Sequence, residues 1–317
     1  MRVASSTFVV VTPVFEDAEA STRLFQELSS SFGKQVHVVA VDDGSVRQPV
    51  DLEKMNEFGI DGTVIRLRRN VGHQRAIAIG LSYVADHMDS AYVVVMDSDG
   101  EDLPASIPEL LTALDDPEVD LVVAERKARV ETLRFKAFYA VYKRLFTLLT
   151  GRRISFGNFM ALKPAATRRL AAMQELWTHV ASCVLASRLR VVTCALDRGP
   201  RYAGKSKMNF VGLALHGFRG VMVFAEDVLV RVGIASALMG VLTIVGGIAS
   251  IVLKVSGYAT PGWFSVALGI LLLVFLQTGS LALTSLMLTG VSKSGAPIGN
   301  AYDQFIDRID STGTPTA

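Results

Sequence analysis

The sequence predicts an α/β domain, doubly wound around a mostly parallel sheet, followed by two membrane helices. Short apolar runs alternate with stretches of helical periodicity from residue 7 to about residue 125, a pattern typical of repeated strand–helix–strand units. Further along, no charged residue occurs at 232–253 or at 255–292. Each uncharged run is longer than the roughly 20 residues that a helix needs to cross a bilayer core.

The elements of the α/β part follow from apolar runs and the residues that end them. Thr7–Thr12 is a strand-like run stopped by Pro13, and the next stretch places Leu24 and Leu28 on one helical face. Strands are predicted at residues 7–12, 36–41, 63–67, 92–96 and 120–124, and helices at 17–30, 74–85, 104–114 and 133–149.

Residues 230–254 and 262–290 are predicted to be transmembrane helices joined by a tight turn. The second helix is long: Trp263–Gly290 would measure about 42 Å at 1.5 Å per residue, against a hydrocarbon core of about 30 Å. We therefore expect it to tilt or to continue beyond the bilayer.

Basic residues flank the hairpin on both sides, and such residues favour the cytoplasmic side of a membrane. They are Arg219, Arg231, Lys293 and Arg308. We therefore expect a multi-pass protein of the cell inner (plasma) membrane, with a cytoplasmic α/β domain at residues 1–208 and a cytoplasmic C-terminal tail at 291–317.

Residues 209–229 separate the α/β domain from the hairpin. Apolar residues recur there at helical spacing, with His216, Arg219 and Glu226 elsewhere on the helix. This pattern predicts an amphipathic helix that lies in the membrane interface. Packing of its apolar face on the α/β domain is the alternative.

Several classes of protein are not favoured. The formal net charge of +2 indicates neither a nucleic-acid-binding surface nor an acidic tail. The strand ends carry neither the Gly-x-Gly-x-x-Gly fingerprint of dinucleotide-binding folds nor a P-loop. Cys183 and Cys194 are interpreted as small apolar residues without a metal or redox role.

A buried strand at Tyr92–Met96 ends in the acidic sequence Asp-Ser-Asp-Gly-Glu-Asp. The carboxyl ends of strands are where open α/β sheets bind ligands. Asp97, Asp99 and Glu101 alternate along the backbone, and carboxylate oxygens suit Mg²⁺ or Mn²⁺ bound together with substrate phosphates. The alternative is a solvated acidic turn.

Two further strand ends are acidic, at Pro13–Asp17 and Asp42–Ser45. Carboxylates there can accept hydrogen bonds from a ribose or from a base N–H. An ordinary tight turn is the alternative interpretation of the second segment.

These motifs together resemble the family 2 (GT-A fold) glycosyltransferases. In order, they are Val-Thr-Pro-Val-Phe-Glu-Asp, Val-Asp-Asp-Gly-Ser, Arg-Asn-Val-Gly-His-Gln and Met-Asp-Ser-Asp-Gly-Glu-Asp. More narrowly, the chain is similar to the polyprenyl-phosphate glycosyltransferase and dolichol-phosphate mannosyltransferase branch, whose bacterial members carry a C-terminal membrane hairpin. The resemblance implies inverting, metal-dependent transfer of a sugar from a UDP- or GDP-linked donor to a polyprenyl phosphate.

The resemblance also implies roles for individual residues. The nucleotide would be bound by Pro13, Glu16, Asp42, Asp43 and Asp97. The DXD motif, Asp97 and Asp99, would hold the catalytic metal ion together with Glu101, at a position where the family often has Gln.

Basic residues are predicted to bind the acceptor phosphate. Arg126 and Arg134 follow the strand at 120–124, and by resemblance they would bind the acceptor phosphate or the leaving diphosphate, with Arg126 counted as catalytic. Arg201, Ser206 and Lys207 match an Arg-x-x-Gly-x-Ser-Lys segment of the family. A solvated basic helix face is the alternative for Arg126 and Arg134.

Asn158 departs from the family pattern, because similar proteins commonly carry Asp in the corresponding Gly-Asp-Phe sequence. An amide cannot act as a general base. A phosphate monoester needs none, since its second pKa is near 6 and it is mostly dianionic at neutral pH. Asn158 therefore favours a phosphate acceptor, or else lost activity.

Alternatives to this enzyme remain open at this point. One is a non-catalytic, membrane-anchored binding or scaffold protein on the same fold, and another is transfer to a different lipid. Absence of a Gln-x-x-Arg-Trp motif disfavours a processive polysaccharide synthase. We also predict a homo-oligomer, a homotetramer by analogy with bacterial relatives, since glycines in the membrane helices permit close helix approach.

Overall fold

The computed structural model describes residues 7–88, 92–126, 133–202, 210–258, 260–292 and 302–313. The chain divides into two compact units. One comprises residues 1–144, 152–223 and 297–317, and the other comprises 145–151 and 224–296.

Among the described residues, eight strands form one mixed sheet in the first unit. They are β1 (Phe8–Val14), β2 (Val36–Asp42), β3 (Asp61–Leu67), β4 (Tyr92–Val95), β5 (Leu121–Arg126), β6 (Met160–Leu162), β7 (Val191–Leu196) and β8 (Ile306–Ser311). The order across the sheet is β7-β5-β6-β4-β1-β2-β3-β8. Strands β4, β1, β2 and β3 are parallel to one another, and β5 is parallel to β7. Strand β6 is antiparallel to β4 and β5, and β8 is antiparallel to β3.

The α-helices of the described residues connect and cover these strands. They are α1 (Ala18–Phe32), α2 (Leu52–Glu57), α3 (His73–His87), α4 (Ile107–Leu114), α5 (Leu133–Thr150), α6 (Pro164–Ala171), α7 (Val180–Ala186), α8 (Phe210–Met222), α9 (Ala225–Val255) and α10 (Trp263–Ser292). The predicted α/β class with a mostly parallel sheet is confirmed.

The sheet is buried on both faces, which explains why β1 and β2 are apolar along almost their whole length. Every residue of both strands is buried. Val9 and Val11 pack with residues of α3, α6 and α7 on one face, while Val10 and Val38 pack with α1 and α4 on the other. Alternation of side chains along each strand produces these two apolar layers.

The second unit contains the two long apolar helices. Both are long and apolar enough to cross a membrane, over Ala225–Val255 and Trp263–Ser285, and little of either span is buried within the structure. Helix α10 continues past Leu281 to Ser292, and its tilt or extension beyond a bilayer stays a prediction. The glycines that permit close approach include Gly240 and Gly246, which face Phe275 and Leu271 within the hairpin itself.

Helix α8 packs on the α/β domain through small residues. Gly217 and Gly220 are buried beside Tyr142, whose hydroxyl donates to the Gly217 carbonyl at 3.3 Å. A Cβ at Gly217 would lie 2.7 Å from the Tyr142 ring. The opposite face exposes Leu215, Phe218 and Met222. The helix therefore has the packing predicted as the alternative, and also an outer apolar face.

A histidine pair ties α8 to α7. The N–H of Ser182 donates to His179 Nδ1 at 3.1 Å, so the proton of the His179 ring is on Nε2, which lies 3.1 Å from His216 Nε2. His179 is 3% exposed. Burial, the neighbouring His216 and Arg219 together lower the pKa of His179 to about 3.

Acidification is expected to destabilise the protein through His179. The unfolded His179 ring binds a proton below about pH 6.5, whereas the folded ring does not. The free energy of unfolding is therefore unaffected by this group above pH 6.5 and decreases as the pH falls from 6.5 toward 3. The loss from this group is about 2 kcal/mol at pH 5. Thermal unfolding of detergent-purified protein at pH 7.5 and 5.0 measures it. His179→Asn keeps a helix-capping side chain and should lose less stability on acidification; an equal loss in both proteins would contradict the assignment.

Candidate functional site

The acidic strand ends predicted from the sequence lie along one edge of the sheet. Strands β4, β1 and β2 are parallel neighbours, with Val95 opposite Val11 and Val14 opposite Asp42. Their carboxyl ends therefore bring together the segments that carry Glu16, Asp42 and Asp97.

Asp97 has an oxygen that is buried without a hydrogen-bond partner. This atom is Oδ1, and it lies 3.3 Å from His73 Nε2. The backbone N–H of Asp97 donates to Asp102 Oδ2 at 2.9 Å, which fixes the turn after β4. A buried carboxylate oxygen without a donor is costly unless a cation compensates it.

The 3.3 Å contact between His73 and Asp97 is not a hydrogen bond, because a chain of donors fixes the His73 ring. The N–H of Val180 donates to Gln74 Oε1 at 2.7 Å, which turns the Gln74 amide nitrogen toward Asn158 Oδ1 at 3.3 Å. The Asn158 amide nitrogen then lies 3.0 Å from His73 Nε2. Since an amide nitrogen only donates, His73 Nε2 accepts and its proton is on Nδ1. Asp97 Oδ1 consequently receives no proton from His73.

Asp99 lies in the same turn and is compensated differently. Its Oδ1 accepts the N–H of Glu101 at 3.0 Å, and its Oδ2 contacts Arg201 Nη1 at 2.9 Å. Burial and the charge of Asp97 raise the pKa of Asp99, while Arg201 and Arg198 oppose that rise. The two carboxylates repel each other, which a divalent cation would relieve.

Glu101 is engaged by arginines. Arg201 reaches its two oxygens at 3.1 and 3.3 Å, and Arg198 also contacts it. In the part of the chain that the structure describes, no group of three His, Cys, Asp or Glu side chains is arranged to hold a metal ion. Asp97 and Asp99 themselves offer two carboxylates in one turn, and one or two carboxylates plus substrate phosphates are a common way to bind Mg²⁺. A ligand role for Glu101 would require Arg201 to release it, and it stays a prediction.

Tyr202 packs directly over the acidic turn. Gly100 has a φ of +87°, and a Cβ there would lie 2.7 Å from the Tyr202 ring. The N–H of Tyr202 donates to the Asp99 carbonyl at 2.9 Å. Glycine is therefore required at position 100 both for the backbone conformation and for this close approach.

Glu16 organises the loop that follows β2. Its carboxylate accepts the backbone N–H groups of Val46, Arg47 and Gln48 at 2.8 to 3.2 Å. These donors, that of Val46 first, lower the pKa of Glu16. Glu16 has a φ of +47°, a conformation that side-chain-bearing residues seldom adopt.

Asp43 organises the turn before α3. Its two oxygens accept the N–H groups of Val71 and Gly72 at 2.7 and 3.0 Å, and burial raises its pKa. Because Gly72 precedes His73, Asp43 fixes the backbone at the start of α3. Asp42 and Pro13 are also buried, and the Pro13 carbonyl accepts the Ser98 hydroxyl at 3.2 Å. Nucleotide binding by these residues stays a prediction.

Of the predicted acceptor-binding residues, the structure places Arg201 beside Asp99 and Glu101. Arg126 ends β5 and Arg134 lies in α5, and the side chains of both lie outside the described residues. Ser206 and Lys207 lie outside them entirely.

Sequence reasoning missed several residues of this site. No role is predicted from the sequence for His73, Gln74 or Arg198, although His73 contacts Asp97 and Arg198 contacts Glu101. The motif Arg-Asn-Val-Gly-His-Gln contains the first two, but their link to Asn158 joins positions 84 and 85 residues apart in the sequence.

A family model and several known proteins match this chain. The model described as Glycosyl transferase family 2 matches residues 9–177, which is more than half of the chain. The uncharacterized glycosyltransferase YkoT of Bacillus subtilis (strain 168) is 23% identical, with 96% of this chain and 90% of that protein covered. An undecaprenyl-phosphate 4-deoxy-4-formamido-L-arabinose transferase of Enterobacter sp. (strain 638) is 26% identical over 64% of this chain and 63% of that protein.

A solved structure shares the fold. Glucosyl-3-phosphoglycerate synthase from Mycobacterium tuberculosis, crystallised with Mn²⁺, UDP-glucose and phosphoglyceric acid, superposes with a TM-score of 0.50 at 17% identity. The match covers 72% of this chain and 80% of that one.

Removing the Asp97 charge is expected to weaken Mn²⁺ binding. Asp97→Asn keeps the shape of the side chain but replaces a carboxylate oxygen with a poorer ligand, so we expect at least about a tenfold loss of affinity. Titration of purified protein with Mn²⁺, followed by electron paramagnetic resonance of the free ion, measures the affinity. Glu109→Gln, at an exposed position of α4, is the matched control. Equal affinity in wild type and Asp97→Asn would refute the proposed metal site.

Proposed function

The chain belongs to glycosyl transferase family 2, and from that premise we propose that it transfers a sugar from a nucleotide-sugar donor to a polyprenyl phosphate at the cytoplasmic face of a membrane. The observation that carries the proposal is the combination, in one chain, of a carboxylate site at strand ends with two long, exposed apolar helices. The Enterobacter relative, by its name, acts on undecaprenyl phosphate, which supports this acceptor class.

The donor would lie along the acidic edge of the sheet, with its base and ribose toward the loop held by Glu16 and its diphosphate toward Asp97 and Asp99. By its description, the Mycobacterium tuberculosis structure binds UDP-glucose and Mn²⁺, which supports a nucleotide-sugar donor and a divalent cation. We propose a UDP- or GDP-linked donor and Mg²⁺ or Mn²⁺. Such a cation, when bound, supplies the positive charge that stabilises the departing diphosphate.

The acceptor needs little activation by the protein. A phosphate monoester is mostly dianionic at neutral pH, so its oxygen can attack the anomeric carbon without losing a proton to a base. The new carbon–oxygen bond forms as the bond to the nucleoside diphosphate breaks, on the opposite face, which inverts the anomeric configuration. Asn158 fits this reaction because it is an amide held by Gln74 and His73 and takes no proton.

Positioning and charge stabilisation are then the main contributions of the protein. Arg201, beside Asp99, and the predicted acceptor-binding residues Arg126, Arg134, Ser206 and Lys207 would hold the phosphate. The exposed stripe of Leu215, Phe218 and Met222 on α8 would bring this site to the bilayer surface, where the lipid phosphate lies.

The proposal is tested by incubating membranes that contain the protein with undecaprenyl phosphate and a panel of radiolabelled UDP- and GDP-sugars. We expect one sugar to appear in the organic extract as a labelled lipid on thin-layer chromatography. Membranes with Asp99→Ala should form none, since the diphosphate loses its counter-charge. If Asp99→Ala membranes in a chelator form as much labelled lipid as untreated wild-type membranes, metal dependence is contradicted.

Acceptor-site variants separate the enzyme from a non-catalytic protein of the same fold. Asn158→Asp should change the transfer rate by less than about tenfold, because the acceptor requires no base. Arg126→Ala and Lys207→Ala should each reduce it by about a hundredfold or more through lost phosphate contacts. Lys34→Ala, an exposed basic residue of the same domain, is the control. If wild type is inactive and Asn158→Asp is active, the native protein is non-catalytic.

A further inference from the structure

We infer that the C-terminal strand β8 positions the donor-nucleotide loop, through the side chains of Asp310, Arg66 and Asp42. This role rests on the proposed function, since it assigns the loop to the donor. Strand β8 lies outside the matched family region, which ends at residue 177.

The segment that contains β8 is built into the α/β domain, although it was predicted as a tail. Strand β8 pairs antiparallel with β3 at the edge of the sheet, with Asp310 opposite Val64. The N–H of Thr312 donates to the Gly62 carbonyl at 2.9 Å, and the Gly62 N–H donates back to the Thr312 hydroxyl at 2.9 Å. Backbone pairing thus fixes the height of Asp310 along β3.

An aromatic anchor precedes the strand. Tyr302 is 3% exposed and belongs to the apolar cluster on the α3 face of the sheet. Its hydroxyl donates to Asp86 Oδ2 at 2.8 Å. Buried packing and a charge-assisted hydrogen bond hold this segment as part of the fold.

Arg66 connects β8 to β2 and to the loop. Its Nε donates to Asp310 Oδ2 at 2.8 Å, its Nη1 to Asp42 Oδ2 at 3.2 Å, and its Nη2 to the Val50 carbonyl at 3.0 Å. The Arg66 side chain is 18% exposed and that of Asp42 is 3% exposed. The planar guanidinium satisfies three acceptors at once, which an ammonium group cannot do in this geometry.

Asp42 in turn closes the loop after β2. Its Oδ1 accepts the N–H of Ser45 at 3.0 Å and its Oδ2 accepts the N–H of Val50 at 3.0 Å. Residues between these two anchors are the ones that Glu16 binds through three backbone N–H groups. The shape of loop 45–50 therefore depends on Asp42, and the orientation of Arg66 toward Asp42 depends on Asp310.

A close backbone contact holds the other side of this loop. Gly44 has a φ of +71°, and a Cβ there would lie 2.5 Å from the Arg69 carbonyl carbon. Arg68, which precedes Arg69, binds the C-terminal segment at the start of β8. Its N–H donates to the Phe305 carbonyl at 2.9 Å and its Nε to the Ile306 carbonyl at 2.9 Å. The C-terminal segment thus braces both the side chain and the backbone on which the loop rests.

Loss of Asp310 should loosen the loop without touching the acidic turn after β4. Arg66 would keep its charge but lose the carboxylate that orients it, and Asp42 would be held less firmly. Donor affinity should fall, while the chemical step at Asp97 and Asp99 should be little affected. The kinetic signature is a higher KM for the donor at nearly unchanged kcat.

The experiment uses the full-length protein in detergent and three variants. Asp310→Asn removes the charge that orients Arg66, and Arg66→Lys keeps a cation but loses the fork. Asp307→Asn is the control, because it removes the same charge from an exposed position of the same strand. Hydrogen–deuterium exchange of the peptide that covers residues 44–50 is measured first, and titration with UDP and with GDP in the presence of Mn²⁺ second.

We expect Asp310→Asn and Arg66→Lys to raise the exchange rate of loop 45–50 and to weaken nucleotide binding by about tenfold. Asp307→Asn should match wild type in both. Unchanged exchange and unchanged nucleotide affinity in Asp310→Asn would overturn the inference alone. Wild-type protein that binds neither nucleotide would overturn the proposed function instead, and accelerated exchange in Asp310→Asn would still establish the Asp310–Arg66–Asp42 link.

Discussion

The structure depends on how negative charge is compensated at the carboxyl ends of its parallel strands. Glu16, Asp42, Asp43, Asp97 and Asp99 all follow or end strands at this edge. Carboxylates this close repel one another, and this repulsion raises the free energy of the folded sheet unless other groups compensate it. Three of them are compensated by backbone N–H groups, which also fix the loops. Asp99 and Glu101 are compensated by arginines, and Asp97 retains one buried oxygen without a donor.

These contacts divide the carboxylates into those that hold loops in place and those that are available to bind a ligand. Glu16, Asp42 and Asp43 shape the loops on which a nucleotide would rest, while Asp97 offers its unpaired oxygen where a diphosphate and its cation would lie. The fixed amide of Asn158 contributes to this separation, because it accepts from Gln74 and donates to His73, so the His73 proton stays away from Asp97. An aspartate at position 158 could not donate to His73 and would require a proton on Nε2.

Sequence periodicity predicted the strands that are buried on both faces, because β1 and β2 are apolar along nearly their whole length. It did not predict β8, since Ile-Asp-Arg-Ile-Asp-Ser is short and polar and forms a strand only against the free edge of β3, about 240 residues away. Strand β4 was visible as an apolar run, and the acidic clusters were visible as motifs because they end such runs. Their partners were not visible, because Arg66, Arg201 and Asn158 meet their carboxylates and amides through tertiary contacts that no local spacing encodes.

The central claim is that this acidic edge binds a nucleotide diphosphate and a divalent cation together. It is tested most directly by measuring the affinity of the wild-type protein for UDP and for GDP by calorimetry, once with Mn²⁺ and once with a chelator. Cooperative binding predicts that at least one nucleotide binds about tenfold or more tightly with Mn²⁺, and that Mn²⁺ binds more tightly by the same factor with that nucleotide. The account would be contradicted if each nucleotide bound with the same affinity in Mn²⁺ as in the chelator.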